Sequence, residues 1–369
     1  MVFHDSLILN TLLVAGGLAM LYFGSEWLVR GSVNIAKKMR VSQLVIGLTI
    51  VAFGTSTPEL VVSINAALSG QADISLANVV GSNIVNIGLI LGLSAAIFPL
   101  AVHINTVRRE VPIMIGAALA LIILSLFDNE ITQLEGVLLI LAIIAFTYFS
   151  YKQSRKEEGQ GREKNREKTE QKLRPDTYET HTIPIEDTTS VIETASIAPP
   201  TKEGEKKAES DKEPQNETTA TTTIAKSALL FAIGLALLYF GATLTVDNAV
   251  VIATSIGISE RIVGLTIVAI GTSLPELITS VVAARKKHAD LSVGNIVGSN
   301  IFNVLAIVGI SAAIAGVSVN PNIFIDYAIM IAFSLVLIPI MRTGFVIRRI
   351  EGYGLVAAYS VYLLALLLM

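Results

Sequence analysis

The chain of 369 residues contains no cysteine, one tryptophan and only four histidines. Without cysteine, disulfide bonds, thiol nucleophiles and cysteine-ligated metals are excluded. The histidines are too scattered for a transition-metal site, and no nucleophile and base lie in a pattern typical of a hydrolase. The histidines are His4, His103, His181 and His288. We therefore expect neither an enzyme nor a bound cofactor.

Charged residues are also scarce, except in one segment. Residues 152–226 hold 14 of the 27 lysines and arginines and 16 of the 30 acidic residues, which leaves 27 charges for the other 294 residues. The mean hydropathy is +0.65, and 52% of the residues are hydrophobic. This composition is typical of an integral membrane protein. The net charge of −3 describes no single surface and gives no indication of nucleic-acid binding.

Long apolar runs begin close to the N-terminus. The sequence MVFHDSLILN has neither a basic n-region nor a small-residue cleavage site, so we interpret it as the start of a first span. Ten runs are long enough to cross a bilayer. They cover residues 7–29, 43–69, 76–100, 111–127, 134–151, 227–245, 262–284, 291–316, 323–341 and 352–369. The sequence thus predicts an all-α integral membrane protein with ten transmembrane helices.

The two halves of the chain repeat each other at a constant offset of 217 residues. IGLTIVAFGTSTPEL at 46–60 recurs as VGLTIVAIGTSLPEL at 263–277, and ANVVGSNIVN at 77–86 recurs as GNIVGSNIFN at 294–303. The shared positions include glycine, proline, glutamate, serine and asparagine. Chance similarity between two apolar runs would not produce such a match.

The halves, 1–151 and 227–369, hold five spans each, and an odd number of spans reverses the orientation of the second half. This predicts two inverted-topology five-helix repeats, which in transporters place a binding site near the midplane. With the N-terminus outside, 12 of the 13 lysines and arginines beyond the segment 152–226 fall in cytoplasmic loops, and only Arg261 does not. We therefore expect a multi-pass cell-membrane protein with both termini outside.

Residues 152–226 join the two halves and are rich in glutamate, lysine and threonine but nearly free of aromatic residues. Such a segment cannot bury enough apolar surface to fold alone. We predict a cytoplasmic, hydrophilic and disordered linker. A tethered regulatory arm is the alternative interpretation.

Each copy of the motif GTSxPEL places a proline and a glutamate within an apolar run. Pro58 and Pro275 have no N–H, so they break the helical hydrogen bonding and leave carbonyl oxygens free. Irregular backbone at membrane depth is tolerated only where it faces protein, water or ions. Glu59 and Glu276 need a partner charge there, and no basic residue lies deep in any span. A cation or a proton must supply it.

Hydroxyl and amide groups recur on the same helical faces as the two glutamates, so the candidate ligands are all oxygens. Hard cations such as Ca²⁺ take about 6–8 oxygen ligands, and two carboxylates would neutralise one Ca²⁺. We interpret Asn78 and Asn295 as residues that form hydrogen bonds between helices rather than as ligands. We interpret Glu26 and Asp326 as residues at the membrane interface. The polar positions near Glu59 and Glu276 are Thr55, Ser56, Ser63, Ser82, Asn86, Thr272, Ser273, Ser280, Ser299 and Asn303.

The paired segments resemble the two alpha repeats of the calcium/cation antiporter superfamily, specifically the prokaryotic sodium/calcium exchangers. The repeats correspond to residues 46–91 and 263–308. The resemblance implies a ten-helix fold with alternating access, in which sodium entry drives calcium extrusion. The ion ligands that it implies are Thr55, Ser56, Glu59, Ser82, Asn86, Thr272, Ser273, Glu276, Ser299 and the carbonyls of Ala52 and Ala269.

The resemblance has one departure, because exchangers of this type often have aspartate where this chain has Asn303. We keep Asn303 in the candidate site, which then has two carboxylates and a symmetric pair of amides, Asn86 and Asn303.

The expected function is a secondary antiporter that exchanges Ca²⁺ for Na⁺, with both ions competing for Glu59 and Glu276. No obligatory protein partner is evident. A proton/calcium antiporter could use the same glutamates and is the alternative. A cation channel or a membrane scaffold presenting the 152–226 segment is less favoured, because an inverted repeat within one chain is typical of a carrier.

Overall fold

The computed structural model describes residues 2–69, 72–127, 129–173, 224–257 and 269–368. The helices of the first half are α1 (Val2–Met39), α2 (Gln43–Ile46), α3 (Ala52–Thr55), α4 (Thr57–Leu68), α5 (Ala72–Val85), α6 (Gly92–Ile97), α7 (Val111–Leu126) and α8 (Gln133–Leu173). Those of the second half are α9 (Ile224–Ser255), α10 (Ala269–Thr272), α11 (Leu274–Arg285), α12 (Ala289–Phe302), α13 (Gly309–Ala315), α14 (Ile323–Arg342) and α15 (Arg349–Leu368).

Within the described residues, four π-helical turns continue these helices without a break in the chain. They are Gly47–Val51, Asn86–Leu91, Thr106–Glu110 and Asn303–Val308. Such turns insert an extra residue into the helical ladder and often occur at functional sites.

Eight helical stretches of the described residues are long and apolar enough to cross a membrane. A ninth is the broken pair Gln43–Thr55 and Thr57–Leu68, whose two parts are bent by 49°. The tenth predicted run, 262–284, lies partly outside the described residues, and its described part contains α10 and α11. The eight stretches are Leu7–Met39, Ile74–Ile97, Thr106–Leu126, Gln133–Glu157, Ile224–Ser255, Ala289–Ala315, Ile323–Arg342 and Arg349–Leu368. The fold is therefore an all-helical membrane protein.

The breaks in the helices recur at the offset of the sequence repeat. α4 and α11 have 12 residues each and begin 217 positions apart, as do α5 and α12 with 14 residues each. Each proline lies in the first turn of its helix, where its missing N–H costs nothing. The residue before each helix, Ser56 or Ser273, leaves helical geometry at ψ 11° and 8° respectively. The structure thus confirms the prediction that these prolines break the helix.

Two short antiparallel ribbons connect loops of the first half with loops of the second. β1 (Leu100–Ala101) pairs with β4 (Val346–Ile347), and β2 (Glu130–Ile131) pairs with β3 (Val317–Ser318). Each ribbon seats an apolar pair in the interior, because Leu100, Ile131, Val317 and Ile347 are all fully buried. The ribbons therefore bind the halves together beyond the ends of the helices.

Of the eight stretches, the two most enclosed are the ones that carry the Gly-Ser-Asn motifs. In Ile74–Ile97 and Ala289–Ala315, 78% and 83% of the apolar window is buried, whereas in Arg349–Leu368 only 17% is. The main cluster of buried apolar side chains surrounds these two central spans. The polar faces of α5 and α12 are therefore shielded from the surroundings.

The helices α1 and α9 pack closely through glycine. A Cβ on Gly24 would lie 2.8 Å from the carbonyl oxygen of Gly234, and a Cβ on Gly234 would lie 2.6 Å from that of Gly24. Gly17 and Gly241 repeat this relation two turns away, with each Cβ position within 3 Å of the other's carbonyl oxygen. The backbones touch because neither helix carries a side chain there.

The structure moves the first boundary of the linker. The segment 152–226 is predicted to be disordered, but α8 continues from the span 134–151 as far as Leu173. Glutamate, lysine, glutamine and arginine are good helix formers, and an existing helix is extended more easily than a new one is nucleated. Gln153 also donates to Glu157 one turn later at 2.9 Å. Residues 174–223 lie outside the described residues.

We expect Gly24→Ala to lower the thermal unfolding midpoint of the purified protein, because its methyl group collides with the α9 backbone. Overpacking of this kind costs about 1–3 kcal/mol. Gly16→Ala is the matched control, since within the described ranges a Cβ there meets no atom within 4 Å. In a helix this control gains up to about 1 kcal/mol. Equal midpoints for the two variants would contradict the close contact.

Candidate ion-binding site

The two helix breaks place Glu59 and Glu276 in equivalent positions. Each glutamate lies in the first turn of its helix, α4 or α11, directly after the proline. Both are buried, with 1% of each residue exposed. The N-terminus of a helix favours a negative side chain, which partly offsets the loss of hydration.

The two halves exchange hydrogen bonds at these carboxylates. Ser56 Oγ donates to Glu276 Oε1 at 2.9 Å, and Ser273 Oγ donates to Glu59 Oε1 at 3.1 Å. Each serine therefore leaves its own motif and binds the glutamate of the other. The second oxygen of each carboxylate, Oε2, is buried and has no hydrogen-bond partner among the described residues.

A second layer of amides connects the helices behind the carboxylates. Asn78 Nδ2 donates to Ser63 Oγ at 3.2 Å, and Asn295 Nδ2 donates to Ser280 Oγ at 3.2 Å. These bonds confirm the interpretation of both asparagines as links between helices. Asn295 Oδ1 also accepts from Thr55 Oγ1 at 3.1 Å, which the sequence did not indicate. The Thr55 hydroxyl also lies 3.1 Å from Val51 O, so these acceptors share its single proton, and its lone pairs remain available to a cation.

Three further oxygens of the candidate set are buried and, within the part of the chain that is described, unpartnered. They are Asn86 Oδ1, Asn303 Oδ1 and Ser299 Oγ. Asn86 and Asn303 each begin a π-helical turn. The turn of Asn303 packs against α4, which carries Glu59, and the turn of Asn86 packs against α11, which carries Glu276.

The remaining predicted ligands are Ser82, Thr272 and the carbonyl groups of Ala52 and Ala269. Ser82 is buried, and Thr272 lies in α10 at the position equivalent to Thr55. The carbonyl of Ala52 accepts from Ser56 N at 3.0 Å and retains a lone pair. At the equivalent break Ser273 N bonds to Ile270 O at 3.2 Å instead, so the carbonyl of Ala269 is not equivalent to that of Ala52.

Two acidic residues outside the motifs have partners of their own. Glu26 Oε1 accepts from Arg30 at 2.9 Å and from Lys286 at 2.8 Å, and Asp326 accepts from the Tyr362 hydroxyl at 2.8 Å. Within the described ranges, no group of three or more histidines, aspartates or glutamates could hold a metal ion. The formal charge of the candidate site therefore comes from Glu59 and Glu276.

One buried residue next to the site was not predicted as part of it. Asn83 Oδ1 accepts from Asn303 Nδ2 at 3.1 Å. The doubled Gly-Ser-Asn motif marks Asn83, but the sequence does not show which neighbour its side chain meets.

The donor set is suited to a hard cation. Carboxylate, hydroxyl, amide and carbonyl oxygens are the ligands that Ca²⁺ and Na⁺ prefer, whereas soft ligands are missing from the candidate set. Both carboxylates are reached from both halves of the chain. Binding at such a site would couple the two halves directly.

Comparison with known proteins identifies the family of the chain. The family model for the sodium/calcium exchanger protein matches residues 9–152 and 226–368, on either side of the linker. The sodium/calcium exchanger MaX1 of Methanosarcina acetivorans is 34% identical over 97% of this chain and 98% of its own. The inner membrane protein YrbG of Escherichia coli is 30% identical over 89% of this chain and 88% of its own.

The fold agrees with a solved structure of the sodium-calcium exchanger NCX_Mj. The TM-score is 0.72 at 28% identity, and the match covers 98% of this chain and 99% of that one. The chain therefore belongs to the sodium/calcium exchanger protein family and is a multi-pass membrane antiporter of calcium and other cations.

Proposed function

We propose that the protein exchanges Ca²⁺ for Na⁺ by alternating access, with both ions competing for one site built on Glu59 and Glu276. One observation carries the proposal. Five buried oxygens of the predicted ligand set have no partner among the described residues. They are Glu59 Oε2, Glu276 Oε2, Asn86 Oδ1, Asn303 Oδ1 and Ser299 Oγ. A buried acceptor without a partner costs about 1–3 kcal/mol, and more if it is charged, so a transported cation would recover that cost.

Competition for the carboxylates explains how the two ions are coupled. Ca²⁺ and Na⁺ both require Glu59 and Glu276, so the site carries one kind of cargo at a time. Without a cation, two buried carboxylates would have no compensating positive charge, and such uncompensated burial is costly in free energy. The unloaded site therefore rarely crosses, and transport in one direction requires transport in the other.

Alternating access follows from an inverted repeat, which we propose for the ten spans. The matching helix breaks at an offset of 217 residues support it. The two ribbons support it as well. β1 and β4 lie in loops that the basic residues assign to the cytoplasm, while β2 and β3 lie in loops assigned to the outside. In this arrangement both termini lie outside and the segment 152–226 lies in the cytoplasm.

The driving ion is tested by calcium uptake into liposomes that contain the purified protein. We expect an outward sodium gradient at fixed pH to drive uptake of radioactive calcium. We expect a pH gradient without sodium to drive none. Uptake driven by the pH gradient alone would contradict sodium coupling and establish the proton/calcium antiporter. Flux that neither saturates nor depends on an ion on the opposite side would indicate a channel.

We expect Glu59→Gln and Glu276→Gln each to reduce calcium uptake to the level of empty liposomes, because each variant removes half of the formal charge of the site. Glu110→Gln is the matched control. Its carboxylate is equally buried but bonds to Arg109 rather than to the other half of the chain. The control should keep its transport. Near wild-type uptake by either site variant would contradict the shared site.

The topology is tested by single cysteines, since the chain has none of its own. Asn322 and Thr343 are exposed residues that flank α14. We expect a membrane-impermeant maleimide to label Asn322→Cys on whole cells and to label Thr343→Cys only after the membrane is permeabilised. The reverse pattern would invert the proposed orientation, and labelling of both residues on whole cells would contradict α14 as a span.

A further inference from the structure

Each Gly-Ser-Asn motif supplies a buried asparagine one helical turn before a candidate ligand amide. In α5 this residue is Asn83, and in α12 it is Asn300. Both are 3% exposed or less. The two residues occupy equivalent positions in the sequence repeat, yet their side chains form different hydrogen bonds. Because of that difference, the role of Asn83 can be distinguished from that of Asn300.

Asn83 holds the amide of Asn303 in one orientation. Asn303 Nδ2 donates to Asn83 Oδ1 at 3.1 Å. The other end of the same amide, Asn303 Oδ1, is buried and meets no hydrogen-bond partner in the described part of the chain. The nitrogen of Asn303 is thus engaged by the protein, and its oxygen is left for a ligand.

The orientation of Asn83 is itself determined by the backbone. Asn83 Nδ2 donates to the carbonyl oxygen of Asn300 at 3.3 Å, so Asn83 Oδ1 is the end that faces Asn303. A reversed Asn303 amide would bring two oxygens together and lose the bond, since neither oxygen has a proton to donate. The backbone of α12 therefore orients Asn83, and Asn83 orients Asn303.

We propose that Asn83 is a positioning residue of the cation site, which turns the Asn303 amide so that its oxygen rather than its nitrogen faces the transported cation. Asn83 does not touch the cation itself. This inference rests on the proposed function, in which Asn303 is a ligand. Partners behind a metal ligand fix its orientation, and their loss commonly lowers metal affinity by about 10–100-fold.

The equivalent residue in the second half has no such role. Asn300 Nδ2 donates to Ile296 O at 2.9 Å, one turn earlier in the same helix. Asn300 Oδ1 has no hydrogen-bond partner within the described ranges, so it does not hold the amide of Asn86. Asn300 therefore serves as a control of the same residue type, burial and motif position.

The test compares Asn83→Ala with Asn300→Ala in liposomes, with initial calcium uptake measured over a range of calcium concentrations. For Asn83→Ala we expect the calcium KM to rise about 10-fold or more with little change in Vmax, because an unfixed amide presents its oxygen only part of the time. Asn300→Ala should leave KM near the wild-type value. Equal KM values for the two variants, or a fall in Vmax alone, would overturn the proposal.

A second comparison removes the amide that Asn83 is proposed to orient. In an Asn303→Ala background there is nothing to position, so adding Asn83→Ala should leave the calcium KM unchanged. A further rise in KM there would show that Asn83 acts through general stability, and the proposal would fall. If Asn83→Ala does not give a monodisperse protein, Asn83→Ser replaces it. Serine ends one bond short of the amide oxygen and should show the same KM shift.

The single variant Asn303→Ala distinguishes the role of Asn303 as a ligand from the role of Asn83 in positioning it. If it raises the calcium KM while Asn83→Ala does not, only the positioning role is wrong. If Asn303→Ala leaves KM unchanged, Asn303 is not a ligand and the positioning role falls with it. The exchange itself is judged independently by the sodium-gradient assay.

Discussion

Two carboxylates enclosed in an apolar protein interior are the constraint on which the rest of the structure depends. Glu59 and Glu276 are each 1% exposed, and their hydrogen-bond partners among the described residues include no lysine or arginine. Their negative charge is supported by the first turn of a helix and by one serine hydroxyl from the opposite half. That support is incomplete, which is the property that the proposed cation site requires. A fully neutralised pair would have no need of an ion.

The surrounding architecture holds the two carboxylates in place. The prolines begin α4 and α11 next to Ser56 and Ser273, whose hydroxyls donate to the glutamate of the other half. The two ribbons bind the loops of one half to those of the other. Glycines bring α1 and α9 into backbone contact through Gly24 and Gly234. Each of these features connects the first half with the second. The candidate site therefore forms only when both halves are folded against each other.

The halves are alike in sequence but not in their hydrogen bonds. Ser75 Oγ donates to Ser311 Oγ at 3.1 Å, whereas the equivalent hydroxyls of Ser292 and Ser94 have no partner among the described residues. The asymmetry at Asn83 is of the same kind. The alternating access that we propose exposes the site to one side at a time, so the two halves would have to differ at any moment. Similar motifs with different bonds are consistent with that requirement.

The sequence by itself determined the membrane class and the internal repeat, and it predicted the residue types of the candidate site. That prediction was possible because a proline next to a glutamate in an apolar run is costly unless it serves a binding site, and here it occurs twice. Sequence also identified Asn78 and Asn295 as links between helices. Its prediction of disorder over 152–226 is wrong for the residues that α8 and α9 cover, because composition does not show that α8 extends to Leu173 from a helix already formed or that α9 begins at Ile224.

Only the tertiary structure decided which groups face each other. Ser56 binds Glu276 rather than Glu59, and Asn83 binds Asn303. These pairs are 220 residues apart in the chain. Helical periodicity shows which side chains share a face of one helix, but the partner of that face depends on how two distant helices cross. The sequence therefore predicts candidate ligands, and packing decides which hydrogen bonds their side chains form.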